Sequence, residues 1–141
     1  SGSPFDWTSP QKDDLWNSGT DSNPVKTEND PCPEGWRVPT YAELDELNNN
    51  YSSWTTDDNG RRGIWFSGPN SYTASVPQVF FPAAGLRDLS DGSAYTRGYD
   101  GHFWSSRPSG GNAYYLLFGS SIVDMYYSGR AYGRSVRCVQ E

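Results

Sequence analysis

The most regular hydrophobic pattern lies between Thr40 and Tyr51, where Leu44, Leu47 and Tyr51 recur at three- and four-residue intervals among polar positions. That spacing predicts an amphipathic helix of about three turns with one stripe packed on a sheet. Thr40-Tyr41-Ala42-Glu43 supplies its start as a capping box, in which the Thr hydroxyl accepts from the Glu43 amide and the Glu43 carboxylate reaches back. Pro39 fits the entry turn, and Glu43, Asp45 and Glu46 complement the positive end of the helix dipole. Asn48-Asn49-Asn50 predicts a fraying stop.

Beyond the helix the pattern changes to short apolar runs separated by turn residues. Residues 63–67 are aromatic and end at Gly68-Pro69-Asn70, and residues 79–84 are apolar and end at Gly85. Residues 102–105, around Phe103 and Trp104, and residues 112–118 and 135–139 complete the strand candidates. Short strands with one early helix predict an α+β domain with a mixed or antiparallel sheet and long loops. In 113–118, Leu116 and Phe118 share one face and Tyr115 and Leu117 the other. The first face is expected in the core and the second in water. Residues 1–31 are polar and punctuated by Pro, with Trp7 and Trp16 as isolated anchors, and read as an irregular lead-in.

Composition narrows the class. Of 141 residues, 34% are hydrophobic and 16% are Phe, Trp or Tyr, so rings carry much of the apolar content. The 15 Gly and 10 Pro agree with many turns and short strands. A net charge of −6 without a Lys/Arg cluster disfavours nucleic acid as a partner. No apolar run approaches the ~20 residues needed to cross a bilayer. Ser1-Gly2-Ser3 reads as an expression scar, so an export signal or anchor is expected upstream. Cys32 and Cys138 stand near opposite ends, an arrangement that suggests a disulfide in an exported domain; a pair of free buried thiols is the alternative.

Four separated motifs then occur in order: Asp30-Pro-Cys-Pro-Glu-Gly-Trp-Arg-Val-Pro-Thr-Tyr-Ala-Glu43, Phe80-Phe-Pro-Ala-Ala-Gly-Leu-Arg87, Phe103-Trp-Ser-Ser106 and Arg130-Ala-Tyr-Gly-Arg-Ser-Val-Arg-Cys-Val139. Together they resemble the Fibrobacter succinogenes major paralogous domain of Bacteroidetes surface proteins, over roughly residues 14–141. That resemblance implies a C-type-lectin-like fold, related to the formylglycine-generating enzymes, on adhesin-like proteins that are often lipid-anchored. It divides the chain into residues 1–13, a lead-in segment or expression remnant, and 14–141, a single C-type-lectin-like domain. In such a fold the terminal strands pair, which would bring Cys32 and Cys138 together. Trp36, Phe81 and Trp104 have the size and spacing of core rings, and Arg37 and Arg137 are expected as structural arginines.

Catalytic chemistry finds little support. The lone His102 sits beside Phe103 and Trp104 and is expected as a scaffold residue. The two cysteines match structural positions, so the copper and oxygen chemistry of the formylglycine enzymes does not carry over. No Gly-x-Ser-x-Gly elbow is present. Calcium requires six to eight converging oxygens. Asp57-Asp58-Asn59-Gly60 and the loop from Asp88 to Asp91 lack EF-hand spacing, and the sugar-binding triplets of calcium lectins are missing. No metal, no cofactor and no enzymatic activity are expected.

Trp104 to Gly133 carries the functional expectation. It is dense in Tyr, Ser, Gly and Asn, residues that give large contact area at low conformational cost and adaptable hydrogen bonding. An outward-facing set is expected at Tyr115, Leu117, Gly119, Ile122, Asp124, Tyr126, Tyr127, Ser128, Gly129 and Tyr132, with Arg107 at the rim. Exposed aromatic patches of this kind mark interaction surfaces. The expectation is a surface-displayed adhesion module, monomeric within a larger protein, that binds a protein or glycan outside the cell. The alternative is a fimbrial tip subunit docking another subunit. Lectin-fold proteins of this resemblance are also targets of diversity-generating retroelements, which mutate adenines at Asn codons; every residue of the ten-member set is reachable from such codons.

Overall fold

The structure is a computed structural model that describes residues 6–49, 52–56, 60–67, 75 and 77–141. Its elements in chain order are β1 (Trp36–Arg37), α1 (Tyr41–Asn48), β2 (Ser52–Thr56), β3 (Arg62–Phe66), β4 (Val79–Pro82), β5 (Leu86–Arg87) and β6 (Ala94–Tyr95). They continue with β7 (Asp100–Ser109), β8 (Asn112–Gly119), β9 (Val123–Gly129) and β10 (Val139–Gln140). The strands form two three-stranded antiparallel sheets, β2-β3-β4 and β7-β8-β9, and two short pairs, β5-β6 and β1-β10. The α+β class is therefore observed, built from small antiparallel sheets with one short helix.

The helix starts where its cap dictates. Glu43 N–H donates to Thr40 Oγ1 at 3.3 Å, and Thr40 N–H donates to Glu43 Oε2 at 2.8 Å. Arg37 forks onto the same carboxylate at 2.8 and 2.6 Å, so Arg37 is satisfied structurally. The Arg37 guanidinium holds the Glu43 carboxyl below the usual carboxylate range. The helix is one turn shorter than the pattern predicts, because Asn49 caps it by donating from Nδ2 to the Asp45 carbonyl at 2.8 Å. Tyr51 lies outside the described residues.

One face of β7-β8-β9 packs on α1 and β2-β3-β4 through Leu44, Ile64, Phe66, Phe81, Phe103, Leu116 and Phe118. The rings meet edge-on or tilted at 4.7–6.3 Å, apart from Phe103 and Phe118, which stack at 5.9 Å, the spacings aromatic quadrupoles favour. Gly101 is required there: a Cβ at that position would fall 2.1 Å from the Phe118 ring.

The opposite face is also covered. Trp104, Ala113 and Tyr115 form a second cluster with Trp7, Trp16, Leu117, Tyr132 and Val136. Trp7 stacks on Trp16 at 4.1 Å and meets Trp104 edge-on at 5.6 Å. Fully buried Arg130 fastens this early segment. Its guanidinium donates to Asp13 at 2.6 Å, to the Lys12 carbonyl at 3.2 Å and to the Asn112 carbonyl at 3.0 Å, and it pairs with Asp6 at 3.4 Å.

Cys32 and Cys138 form a disulfide across 106 positions, beside the β1-β10 pairing of Trp36 with Gln140 and Arg37 with Val139. Closing so long a loop stabilises by about 4–5 kcal/mol in the chain-entropy model. Phe81 and Trp104 are core rings as expected, but Trp36 is 44% exposed. It belongs to a two-residue strand that pairs with β10 in a sheet of two strands. The predicted strand over 135–139 contracts to β10, with Ser135 reduced to a single parallel bridge to Phe103.

Candidate ligand face

The Tyr-rich stretch is not an irregular loop. β9 pairs antiparallel with β8 from Asn112↔Gly129 to Phe118↔Val123 and forms the edge of the sheet. Period-two alternation then divides the predicted site between two sides. Tyr114, Leu116 and Phe118 with Val123, Met125 and Tyr127 face the helix and the Phe-rich core. Tyr115 and Leu117 with Asp124, Tyr126 and Ser128 face the tryptophan side.

On the tryptophan side the structure brings together Tyr115, Tyr126, Ser128 and Tyr132 around a residue the sequence reading passed over. Arg134 lies over the rings of Tyr115, Trp104 and Tyr132 at 4.0, 4.3 and 4.8 Å, and donates from Nη2 to Ser128 Oγ. Burial pushes its pKa down from the ordinary guanidinium value. The signal that could have found it is an arginine two positions after Tyr132 in a ring-rich stretch, a setting that favours cation–π packing.

Tyr115 departs from expectation. It is 8% exposed, beneath Arg134 and edge-on to Trp104 at 5.7 Å, because residues 7 and 16 deliver a second cover to this face. Gly119 is likewise buried, and Leu117, Ser128, Gly129 and Tyr132 are half-buried. The exposed members are Ile122, Asp124, Tyr126 and Tyr127; Tyr127, at 59%, is the most open tyrosine of the set.

On the helix side Tyr127 continues an aromatic row. Tyr114 meets Tyr127 at 5.6 Å and Tyr41 at 5.0 Å, and the Arg107 guanidinium lies over Tyr41 and Tyr114 at 5.0 and 5.5 Å. Arg107 also pairs with Asp21 at 3.1 Å, at the rim of a polar cleft of about 660 Å3 lined by the lead-in, Ala42 and Ser106–Pro108. Arg107 therefore borders Tyr127 and not the Tyr126 side. Ile122 and Gly119 line a smaller cleft of about 300 Å3 at the β8-β9 turn.

His102 is buried. Its Nε2 shares a 3.0 Å hydrogen bond with Asp100, and its ring lies 5.5 Å from that of Tyr115. Burial, helped by the Arg134 charge and opposed by Asp100, lowers its pKa. Ser105 donates to the Tyr114 carbonyl at 2.9 Å. Asp88 and Asp91 accept from the amides of Ser90 and Ser93 at 2.8 Å, capping turns; Asp57, Asp58 and Asn59 lie outside the described residues. Arg137 lies over Phe81 at 5.6 Å. Among the described residues no helix is long and apolar enough to cross a membrane, and no cluster of three potential metal ligands occurs.

The profile of a family described as a domain of unknown function, DUF8237, matches residues 54–139, which include β3 to β9 and Arg134. No curated protein matches the chain. No solved structure matches it either.

Proposed function

The chain belongs to the DUF8237 family, and we propose that it is a non-catalytic, exported recognition module of C-type-lectin-like architecture that binds a protein or glycan ligand through β9. The observation that carries this reading is the exposure of Ile122, Tyr126 and Tyr127 together on one edge strand and its turn, held by buried neighbours. Tyrosines on a rigid strand lose little entropy on binding and offer both an apolar ring and a hydroxyl. The pairing of Tyr126 with Tyr115, itself packed beneath Arg134, sets the side from which Tyr126 projects. The disulfide and the absence of a membrane-crossing helix among the described residues suit an extracellular domain. The four motifs resembling the Fibrobacter succinogenes major paralogous domain support the same placement.

The test is a glycan array beside a panel of purified bacterial and host surface proteins. Binding that falls at least about tenfold in Tyr126→Ala and Tyr127→Ala, with unchanged Tm, supports the reading. Binding that ignores both substitutions overturns it. Retroelement diversification rests on the same strand; exposed Ile122, Asp124, Tyr126 and Tyr127 suit it, whereas buried Tyr115 and Gly119 do not. Its check is a near-identical DNA copy, altered at adenines, beside a reverse transcriptase gene.

The edge position of β9 favours one further reading, a fimbrial subunit that docks its neighbour by strand addition. Co-elution with a neighbouring subunit, abolished by proline at a β9 position, would favour it over ligand binding.

A further inference from the structure

A third cleft lies near the β8-β9 turn, where the Tyr99 carbonyl comes within 3.4 Å of a Cβ placed on Gly119. It has a volume of about 530 Å3, within the size range of small-molecule sites. Three segments build it: Arg61 and Arg62 at the start of β3, residues 82–84 after β4, and residues 97–99 between β6 and β7. Backbone bonds tie them together. Ala83 N–H donates to the Arg62 carbonyl and Gly98 N–H to the Ala83 carbonyl, each at 2.8 Å.

The turn that presents Arg97 and Tyr99 is strained. Thr96 has φ 54°, a left-handed conformation that β-branched residues rarely adopt. It is held by Tyr99 and Asp100 N–H, which donate to the Thr96 carbonyl, and by its hydroxyl, which donates to the Asp100 carboxylate. Strain of this kind collects at ligand-binding positions.

The cleft's chemistry runs against that of the chain. The protein carries a net charge of −6, yet Arg61, Arg62 and Arg97 all line this cleft. Asp100, the acid of the adjoining turn, is engaged by Thr96 and His102. Arg62 lies over the Tyr99 ring at 5.7 Å, and Tyr99 is 71% exposed. Guanidinium forks match carboxylate and sulfate geometry, and an open aromatic ring packs against the apolar face of a pyranose. In this turn the Gly98 and Tyr99 N–H groups are already bonded within the protein and are not open to a peptide strand.

We infer that this cleft binds an acidic saccharide, whose carboxylate or sulfate is held by Arg62 and Arg97 and whose ring packs on Tyr99. The site is separate from β9 and does not rest on the recognition reading above.

The test titrates the isotope-labelled chain with glucuronic acid, glucose 6-sulfate and glucose, following backbone amides by NMR. Shifts at Arg62, Gly98 and Tyr99 are expected with a charged sugar and not with glucose, and comparing the two charged sugars tells carboxylate from sulfate. Arg97→Gln and Tyr99→Ala should each weaken binding by about tenfold. Both side chains are exposed, and an unchanged Tm confirms that the variants fold. Silence with both charged sugars overturns the inference, as do equal binding of glucose, indifference to Arg97→Gln, or shifts confined to residues 123–129. If Tyr99→Ala leaves sugar binding intact while inorganic sulfate competes fully, the site is an anion site and the saccharide is overturned.

Discussion

The two sides of the β7-β8-β9 sheet are closed by different chemistry. One side is hydrocarbon: Phe66, Phe81, Phe103 and Phe118 interlock with Leu44, Ile64 and Leu116. The other mixes Trp7, Trp16, Trp104, Tyr115 and Tyr132 with Arg130 and Arg134. The first side needs only shape, whereas the second depends on rings that carry polar atoms and on guanidinium groups that must be satisfied. A two-sided sheet whose halves obey different rules can be loosened on one side while the other stays packed.

The sharpest break of that contrast is Phe118→Ala, which should cost about 3–5 kcal/mol through lost transfer and a cavity in the ring cluster. Chemical denaturation measures it. Arg130→Met keeps the bulk but strands buried Asp6 and the carbonyls of Lys12 and Asn112. It should cost about 3 kcal/mol and expose the lead-in to proteolysis ahead of global unfolding. If Arg130→Met is as stable as the parent chain, the polar side does not depend on its arginines as described.

Tyr115→Ala should cost about 2 kcal/mol or more, because the ring is packed beneath Arg134. A smaller effect is expected from pH. The lowered pKa of His102 means that the folded protein resists protonating a group that the unfolded chain protonates freely. Its contribution is therefore present above pH 6.5 and lost as pH falls through the folded pKa. Tm should decline over that window, and His102→Gln should flatten the decline. The loss linked to Glu43 comes only at more acidic pH, below its ordinary 4.5. Least of all, Tyr127→Ala should change stability by no more than about 0.5 kcal/mol.

Much of the Phe-rich side was legible in the sequence. The capping box at Thr40 is local chemistry, and Leu116 and Phe118 follow the alternation of a strand. The tryptophan side was not legible, for a physical reason: the cluster that contains Tyr115 is completed by Trp7 and Trp16, about a hundred positions earlier, and periodicity within one strand carries no information about so distant a partner. β9 was misread because Tyr126-Tyr127-Ser128-Gly129 has the composition of a loop, while its strand form is imposed by pairing with β8. Leu117, Asp124, Tyr126 and Ser128 do share a side, but Tyr127, grouped with them in the sequence reading, lies on the other, because period-two alternation along β9 separates adjacent residues.

The link between Cys32 and Cys138 also decides how the molecule behaves when pulled. Tension applied to the two termini passes through that covalent bond and skips the 105 residues inside it, because the bond spans 106 positions. The β2-β3-β4, β5-β6 and β7-β8-β9 sheets stay unloaded, while β10, beyond Cys138, bears the load. The stretch ahead of Cys32 would peel away first, drawing Trp7 and Trp16 off Trp104, and the rest would keep its shape under forces that extend an unstapled domain.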